Sequence, residues 1–159
     1  MTTADRTITE ETARFIIDTN YADLPETLRA EARRCILDGL AVMLAGTTED
    51  CTRIIYQYLG DLGVSGSCRV PGINASFPAE FAALASGVSG HAHDYDDTQV
   101  SSAPDRVYGL LTHPTIPALS AALAVGQEVD ATGKDLVTAF CIGMEVECKH
   151  NEAINPRHY

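Results

Sequence analysis

The chain has 159 residues, of which 45% are hydrophobic and 6% aromatic, a composition that suits one domain with a helical, alanine- and leucine-rich core. Its 11 basic and 22 acidic residues give a net charge of −11, which argues against sequence-independent binding to nucleic acid or to an anionic membrane surface. No apolar stretch reaches the roughly 20 residues that span a bilayer, and the N-terminus lacks the apolar segment of a secretory signal. We therefore expect a cytoplasmic protein.

The cysteines support the same expectation. Their number is odd, they are widely spaced, and no Cys-x-x-Cys pair indicates a zinc site. Cys35 and Cys141 fall on apolar helical positions, so we expect small buried thiols in a reducing compartment rather than disulfides.

Two helices are predicted near the N-terminus. Thr7 and Glu10 have the spacing of a capping box, which begins the first helix. Asp23 is expected to cap the second helix, with Pro25 in its first turn and Gly46 at its end. Apolar and small side chains mark one face of this second helix over four turns: Leu28, Ala32, Cys35, Ile36, Gly39, Leu40, Met43 and Leu44. Ala32 and Gly39 are small enough to let a neighbouring helix approach closely.

The middle of the chain predicts a third amphipathic helix from Asp50 and a short extended piece at residues 67–70. Pro78 then opens an alanine-rich helix that runs through Val88. This helix is apolar on nearly all sides and is therefore expected to be buried. Its end delivers the chain into a polar loop at Gly90.

The last third begins with an irregular segment at residues 99–112. A helix crowded with small residues follows from about Pro117 to Glu128, and Thr132 caps the final helix. The expected fold class is therefore all-α, with five to seven helices and a polar loop at the end of a buried helix.

That loop concentrates titratable side chains. Residues 89–98 read Ser-Gly-His-Ala-His-Asp-Tyr-Asp-Asp-Thr, and His113 opens a His-Pro-Thr segment before the next apolar run. Acids and imidazoles between two apolar helices do not serve to fill a core. We interpret this segment as a functional site with three competing chemistries.

The first chemistry is metal binding, in which His91, His93 and the acids Asp94, Asp96 and Asp97 supply ligands for zinc or iron. A His-x-His pair serves this purpose best on a strand, where both rings point the same way. The segment follows a helix and has no strand signal. The spacing is therefore suggestive of metal binding rather than specific for it.

The second chemistry is metal-free general acid–base catalysis. Carboxyl groups crowded together resist ionisation, and imidazole titrates near neutrality. Such groups can remove a proton next to a carboxylate and protonate a leaving group. Thr98 can orient a substrate carboxylate, and His113 at a helix entrance can lie opposite the loop.

The third interpretation is purely structural. Asp96 or Asp97 caps a turn, and His91 packs against the end of its helix. One acid is enough for a cap, so this interpretation explains single residues better than the whole cluster. Elsewhere in the chain we expect His150 and His158 at the surface, and Glu145 and Glu147 on a solvated helix face.

These residues also carry a family resemblance. The stretch Gly90-His-Ala-His-Asp-Tyr-Asp-Asp-Thr98 is similar to the Gly-His-x-x-Asp-Phe-Asp-Asp-Thr signature of the MmgE/PrpD family, which includes 2-methylcitrate dehydratase, cis-aconitate decarboxylase and iminodisuccinate epimerase. The segment His113-Pro-Thr-Ile-Pro-Ala-Leu extends the similarity. Further matching stretches are Asp38-Gly-Leu-Ala-Val, Thr132-Gly-Lys-Asp-Leu and Gly143-Met-Glu-Val-Glu.

The resemblance implies a fold and an architecture. Full-length family members complete the helical domain with C-terminal helices and carry a second, α/β lid domain. Residues 1–159 are therefore expected to be the N-terminal portion of the helical domain, with those helices and that lid absent from this chain. The resemblance further implies a homodimer, a second polypeptide that supplies the rest of the fold, or both.

The resemblance also implies a function and a site. It predicts a cofactor-independent, metal-free lyase or isomerase that acts on small di- or tricarboxylates, as a dehydratase, a decarboxylase or an epimerase. Asp94 and His113 match catalytic positions. Thr98 and His91, the first histidine of the signature, are the expected substrate-binding residues. The alternative is a catalytically inactive helical module that dimerises or binds a partner, because the downstream residues of the family's site have no counterpart here.

Overall fold

Helices dominate the computed structural model, which describes residues 6–99 and 112–153, without the side chain of Glu152. The helices are α1 (Ile8–Asp18), α2 (Glu26–Ala45), α3 (Asp50–Asp61), α4 (Ala79–His91), α5 (Thr115–Glu128) and α6 (Gly133–Ala153). Two single 3-10 turns lie at Tyr21–Asp23 and Gly46–Thr48. Strands β1 (Cys68–Arg69) and β2 (Ser76–Phe77) pair antiparallel. The predicted all-α class is confirmed, and the extended piece at residues 67–70 is part of this small ribbon.

Some predictions concern segments without a structural description. The irregular segment at residues 99–112 falls almost wholly outside the described residues, and so does His158. Within the described ranges, no helix combines the length and apolar character that a membrane crossing requires.

The capping box of α1 is confirmed. The backbone N–H of Thr7 donates to the Glu10 carboxylate at 2.9 Å, and the backbone N–H of Glu10 donates to the Thr7 hydroxyl at 3.3 Å. These two bonds satisfy N–H groups that the first turn of a helix leaves without partners. The helix nevertheless has no buried residue, and Ile8 and Ile17 are 82% and 78% exposed.

The predicted cap of α2 is wrong. Asp23 belongs to a 3-10 turn, where its carboxylate accepts the backbone N–H of Asn20 at 2.8 Å. The helix begins at Glu26, after Pro25 in the cap position, where no side chain caps it. The backbone N–H of Arg29 donates to the carbonyl of Pro25 at 3.0 Å. Its end at Gly46 is confirmed.

The core lies where α2, α5 and α6 meet. The buried face of α2 consists of Ala32, Ile36, Gly39 and Met43, in agreement with the periodicity. A Cβ at Gly39 would lie 2.6 Å from Cδ2 of Leu119, so α5 packs directly on the α2 backbone at this position. Phe140 on α6 closes this core from the other side.

The alanine-rich helix α4 occupies the centre of the fold and packs against α2, α3 and α5. Six of its residues are buried, as the sequence predicted: Ala79, Ala82, Ala85, Ser86, Ser89 and Gly90. The helix runs three residues beyond the predicted end at Val88 and includes His91. That extension places His91 on a rigid element.

The N-terminal ends of α5 and α6 are capped in different ways. Thr132 caps α6 as predicted, through a reciprocal pair of hydrogen bonds with Asp135. Helix α5 begins at Thr115 rather than near Pro117. The loop after α4 supplies its cap.

Two cysteines were expected to be free thiols on apolar helix faces, and the structure agrees. Cys35 and Cys141 are free and half-buried. Burial raises the pKa of both thiols, so each behaves as a small apolar side chain rather than as a nucleophile.

Candidate active site

A left-handed turn leads the chain out of α4. The Ala92 N–H donates to the carbonyl of Ser89 at 3.4 Å, and the Asp94 N–H donates to the carbonyl of His91 at 3.1 Å. Asp94 then takes a φ of 57°, a left-handed conformation that aspartate tolerates better than most residues. The reversal returns the following residues towards the end of α4.

Asp97 fixes the far end of this loop. Its carboxylate accepts the backbone N–H of Thr115 at 3.0 Å and the Thr115 hydroxyl at 2.8 Å. A carboxylate at this place caps α5 and also interacts favourably with the positive end of the helix dipole. The structural interpretation is therefore confirmed for Asp97, although the helix that it caps begins 18 residues further along the chain.

Close packing of α4 on α5 brings two histidines together. A Cβ at Gly90 would lie 2.7 Å from Cδ1 of Ile116, so any side chain at position 90 would force Ile116 to shift. The next residue of α4, His91, faces His113, which stands just before α5. Their ring centroids are 4.8 Å apart and the rings meet edge to face at 68°.

Asp96 lies between these two imidazoles. Its side chain is 1% exposed, and its Oδ1 lies 2.9 Å from Nδ1 of His91. Its Oδ2 lies 3.2 Å from the same nitrogen and 3.5 Å from Nδ1 of His113. The sequence interpretation considered Asp96 only as a metal ligand or a cap, because its two partners become neighbours only through the tertiary fold.

Asp94 approaches the other side of His113. Its Oδ1 lies 3.6 Å from Nε2 of His113, and the two side chains are 76% and 33% exposed. The structure therefore brings three of the predicted site residues into one group: His91, Asp94 and His113.

Thr98 and His93 lie elsewhere. Thr98 is exposed and does not line the cavity beside the histidines, so its substrate-binding role stays a prediction. Nε2 of His93 is 3.6 Å from the Glu49 carboxylate, and its ring stacks on Tyr95 at 5.1 Å. The two histidines of the His-x-His pair therefore do not converge.

A cavity of about 810 Å³ lies beside the imidazole pair. Its walls are mostly apolar and come from α4 and α5, and its polar lining includes His91, Asp96 and His113. No lysine or arginine lines it among the described residues. The basic side chains that line it, within the described part of the chain, are the imidazoles of His91 and His113.

The same residues have the composition of a metal-binding group. One ligand atom each from His91, Asp94, Asp96 and His113 can be chosen so that all lie within 4.8 Å of one another. Nδ1 of His91 is already hydrogen-bonded to Asp96, so this nitrogen could bind an ion only if that bond broke. Imidazole and carboxylate ligands suit zinc or iron.

Glu147 corrects another expectation. It is half-buried rather than solvated, and it accepts the Thr112 hydroxyl at 2.5 Å. Burial raises the pKa of this carboxyl group, and the nearby charge of Asp97 raises it further. The contact ties α6 to the residue that precedes His113. Glu145 and His150 on the same helix are exposed, as predicted.

The fold and the site together define a helical domain with a paired-imidazole and carboxylate centre at the contact of two small-residue helices. Residues 10–159 match the MmgE/PrpD N-terminal domain, and the chain belongs to the MmgE/PrpD family.

Three curated proteins share this region. The chain is 31% identical over 147 residues to cis-aconitate decarboxylase of Homo sapiens, covering 89% of this chain and 29% of that protein. It is 30% identical to cis-aconitate decarboxylase of Mus musculus, covering 89% of this chain and 28% of the relative. It is 28% identical to the cis-aconitate decarboxylase-like protein oryM of Aspergillus oryzae, covering 91% of this chain and 31% of that protein. The chain thus spans under a third of the length of each of these relatives.

Proposed function

We propose that this chain takes part in a lyase or isomerase reaction on a small di- or tricarboxylate, with His113 and Asp94 as its proton-handling groups. The observation that carries the proposal is the position of His113 beside an apolar cavity, with carboxylates at both of its ring nitrogens. His91 and Thr98 are the proposed substrate-binding residues. The family membership and the decarboxylases among the relatives support the substrate class.

The chemistry of such reactions needs one group that exchanges protons. In a decarboxylation the bond to the departing carboxyl carbon breaks, carbon dioxide leaves, and the electron pair that stays behind takes up a proton. In a dehydration a base removes a proton next to a carboxylate and an acid protonates the leaving hydroxyl group. A positioned imidazole performs either role near neutral pH, without a cofactor. The Asp94 carboxylate lies 3.6 Å from Nε2 of His113, so the two proposed proton-handling groups face one another.

An anionic substrate also needs positive charge. The chain carries −11 overall, and the described cavity lining offers only imidazoles. We therefore propose that further cationic groups come from a second copy of the chain or from another polypeptide. The apolar surface of α1 supports such an assembly, because Ile8 and Ile17 are largely exposed on a helix without a buried residue.

Turnover assays test the proposal. The purified protein is incubated with cis-aconitate, with release of carbon dioxide as the readout, and with 2-methylcitrate, with dehydration as the readout. His113→Gln and Asp94→Asn are expected to lower turnover by about 100-fold or more, as for loss of an acid–base group. Asparagine tolerates the left-handed backbone of position 94, so that variant isolates the charge. His150→Gln, on the exposed end of α6, is the matched control.

Two outcomes oppose the assignment. Turnover that survives both His113→Gln and Asp94→Asn places the chemistry elsewhere. A folded, dimeric protein that turns over neither acid, alone or together with a polypeptide that co-purifies with it, instead favours the inactive helical module, and size-exclusion chromatography with light scattering measures that state directly.

A further inference from the structure

We infer that Asp96 is a positioning residue that fixes the proton of both imidazoles on Nδ1, and so makes Nε2 the reacting nitrogen of His113. The inference rests on the proposed function for its catalytic meaning. It goes beyond that proposal, which gives Asp96 no role.

The first step concerns His91. An ionised carboxylate accepts hydrogen bonds and cannot donate them. Both oxygens of Asp96 lie within 3.2 Å of Nδ1 of His91. This nitrogen therefore carries a proton, and a neutral His91 ring has its lone pair on Nε2.

The second step concerns His113. Its Nδ1 faces two acceptors from the same residue, the backbone carbonyl of Asp96 at 3.3 Å and the Oδ2 atom at 3.5 Å. Neither acceptor can donate, so Nδ1 of His113 carries a proton as well. The lone pair of the neutral ring is then on Nε2, because the exposed Asp94 carboxylate lies 3.6 Å from that nitrogen, beyond hydrogen-bond distance.

The third step concerns burial. The Asp96 side chain is 1% exposed, and a buried carboxylate is costly unless it is hydrogen-bonded and its charge is offset. Within 4 Å, the side-chain groups of the described chain that can donate a hydrogen bond to it are the imidazoles of His91 and His113. Asp96 therefore couples the two rings, since both depend on one acceptor for their orientation.

The substitution Asp96→Asn replaces one of the two acceptor oxygens of this side chain by a donor. A carboxamide has one oxygen that accepts and one NH₂ group that donates. It can satisfy Nδ1–H of one imidazole, but it presents a donor to the other. His91 lies nearest the side chain and keeps the carboxamide oxygen as its acceptor, so the NH₂ group opposes Nδ1–H of His113 and leaves that ring the backbone carbonyl of Asp96 as its acceptor. We therefore expect His113 to move its proton to Nε2, where the ring cannot act as a general base.

Long-range ¹H–¹⁵N NMR spectra of histidine-labelled protein measure the tautomers without any substrate. His91→Gln and His113→Gln assign the signals. We expect Nδ1–H in both neutral rings of the wild type, and Nε2–H at His113 in Asp96→Asn. His150 is an internal control, because its Nδ1 bonds to the carbonyl of Val146 at 2.7 Å and it should stay Nδ1–H in every variant.

Nε2–H at His91 or His113 in the wild type would overturn the inference, even if Asp96→Asn does not fold. Unchanged tautomers in a folded Asp96→Asn protein would overturn it too. In turnover assays the variant should lower kcat by about 100-fold with little change in KM. Because the tautomers are read in the free protein, absence of turnover would defeat the proposed function and leave the role of Asp96 standing.

Discussion

Asp97 gives the most quantitative prediction, because its two hydrogen bonds reach a single buried residue. Thr115 is 2% exposed, and its N–H and hydroxyl both donate to the Asp97 carboxylate. Asp97→Ala removes a helix cap, which costs about 1 kcal/mol. It also leaves a buried hydroxyl group without its acceptor, which costs about 1 to 3 kcal/mol. We expect the free energy of unfolding to fall by about 2 to 4 kcal/mol.

Urea unfolding followed by far-UV circular dichroism measures this loss. Asp97→Asn is the matched control, since its amide oxygen can accept the Thr115 N–H while its NH₂ group donates to the hydroxyl. It should cost less than about 1 kcal/mol. A double-mutant cycle with Thr115→Val should show strong coupling between the two positions. An Asp97→Ala protein within about 0.5 kcal/mol of the wild type would refute the capping role.

Two further predictions concern α6 and the contact between α4 and α5. Burial raises the pKa of Glu147, so the folded state binds protons more tightly than the unfolded state. The stability of the wild type relative to Glu147→Gln should therefore fall as pH rises through the window that begins near the ordinary glutamate pKa of about 4.3. Urea unfolding across pH checks this, and exposed Glu145→Gln, measured in parallel, controls for the removal of an acid from the same helix. Gly90→Ala places a methyl group against Ile116 and should cost about 1 to 3 kcal/mol, with partial rescue by Ile116→Val. Equal stability of Gly90→Ala and wild type would contradict the close packing of α4 on α5.

The helices that could be predicted from the sequence are those with local signals. The capping pairs at Thr7 and Thr132 involve residues three positions apart, so reading the sequence is enough to find them. The start of α5 could not be found that way, because its cap comes from Asp97 across a long loop. At Asp23 a local signal was misleading. Aspartate is a good capping residue, but its carboxylate accepts the backbone N–H of Asn20 and does not cap α2.

The candidate site, too, could be predicted only in part from the sequence. The density of acids and imidazoles identified the loop, and the structure brings His91, Asp94 and His113 together there. The separate roles of the three acids depend on the tertiary fold. Asp94 approaches Nε2 of His113, Asp96 lies buried between the rings, and Asp97 caps α5. Thr98 remains a prediction, because the described contacts do not connect it with this group.

The central claim is that His91 and His113 form one carboxylate-binding site. Histidine side-chain NMR during a titration with cis-aconitate tests it most directly, because the chain contains its own controls. His93 lies near Glu49 and His150 lies on α6, and neither lines the cavity. We expect the signals of His91 and His113 to shift together and to saturate, while those of His93 and His150 stay in place. Unchanged signals at His91 and His113, or shifts of equal size at all four rings, would contradict the claim.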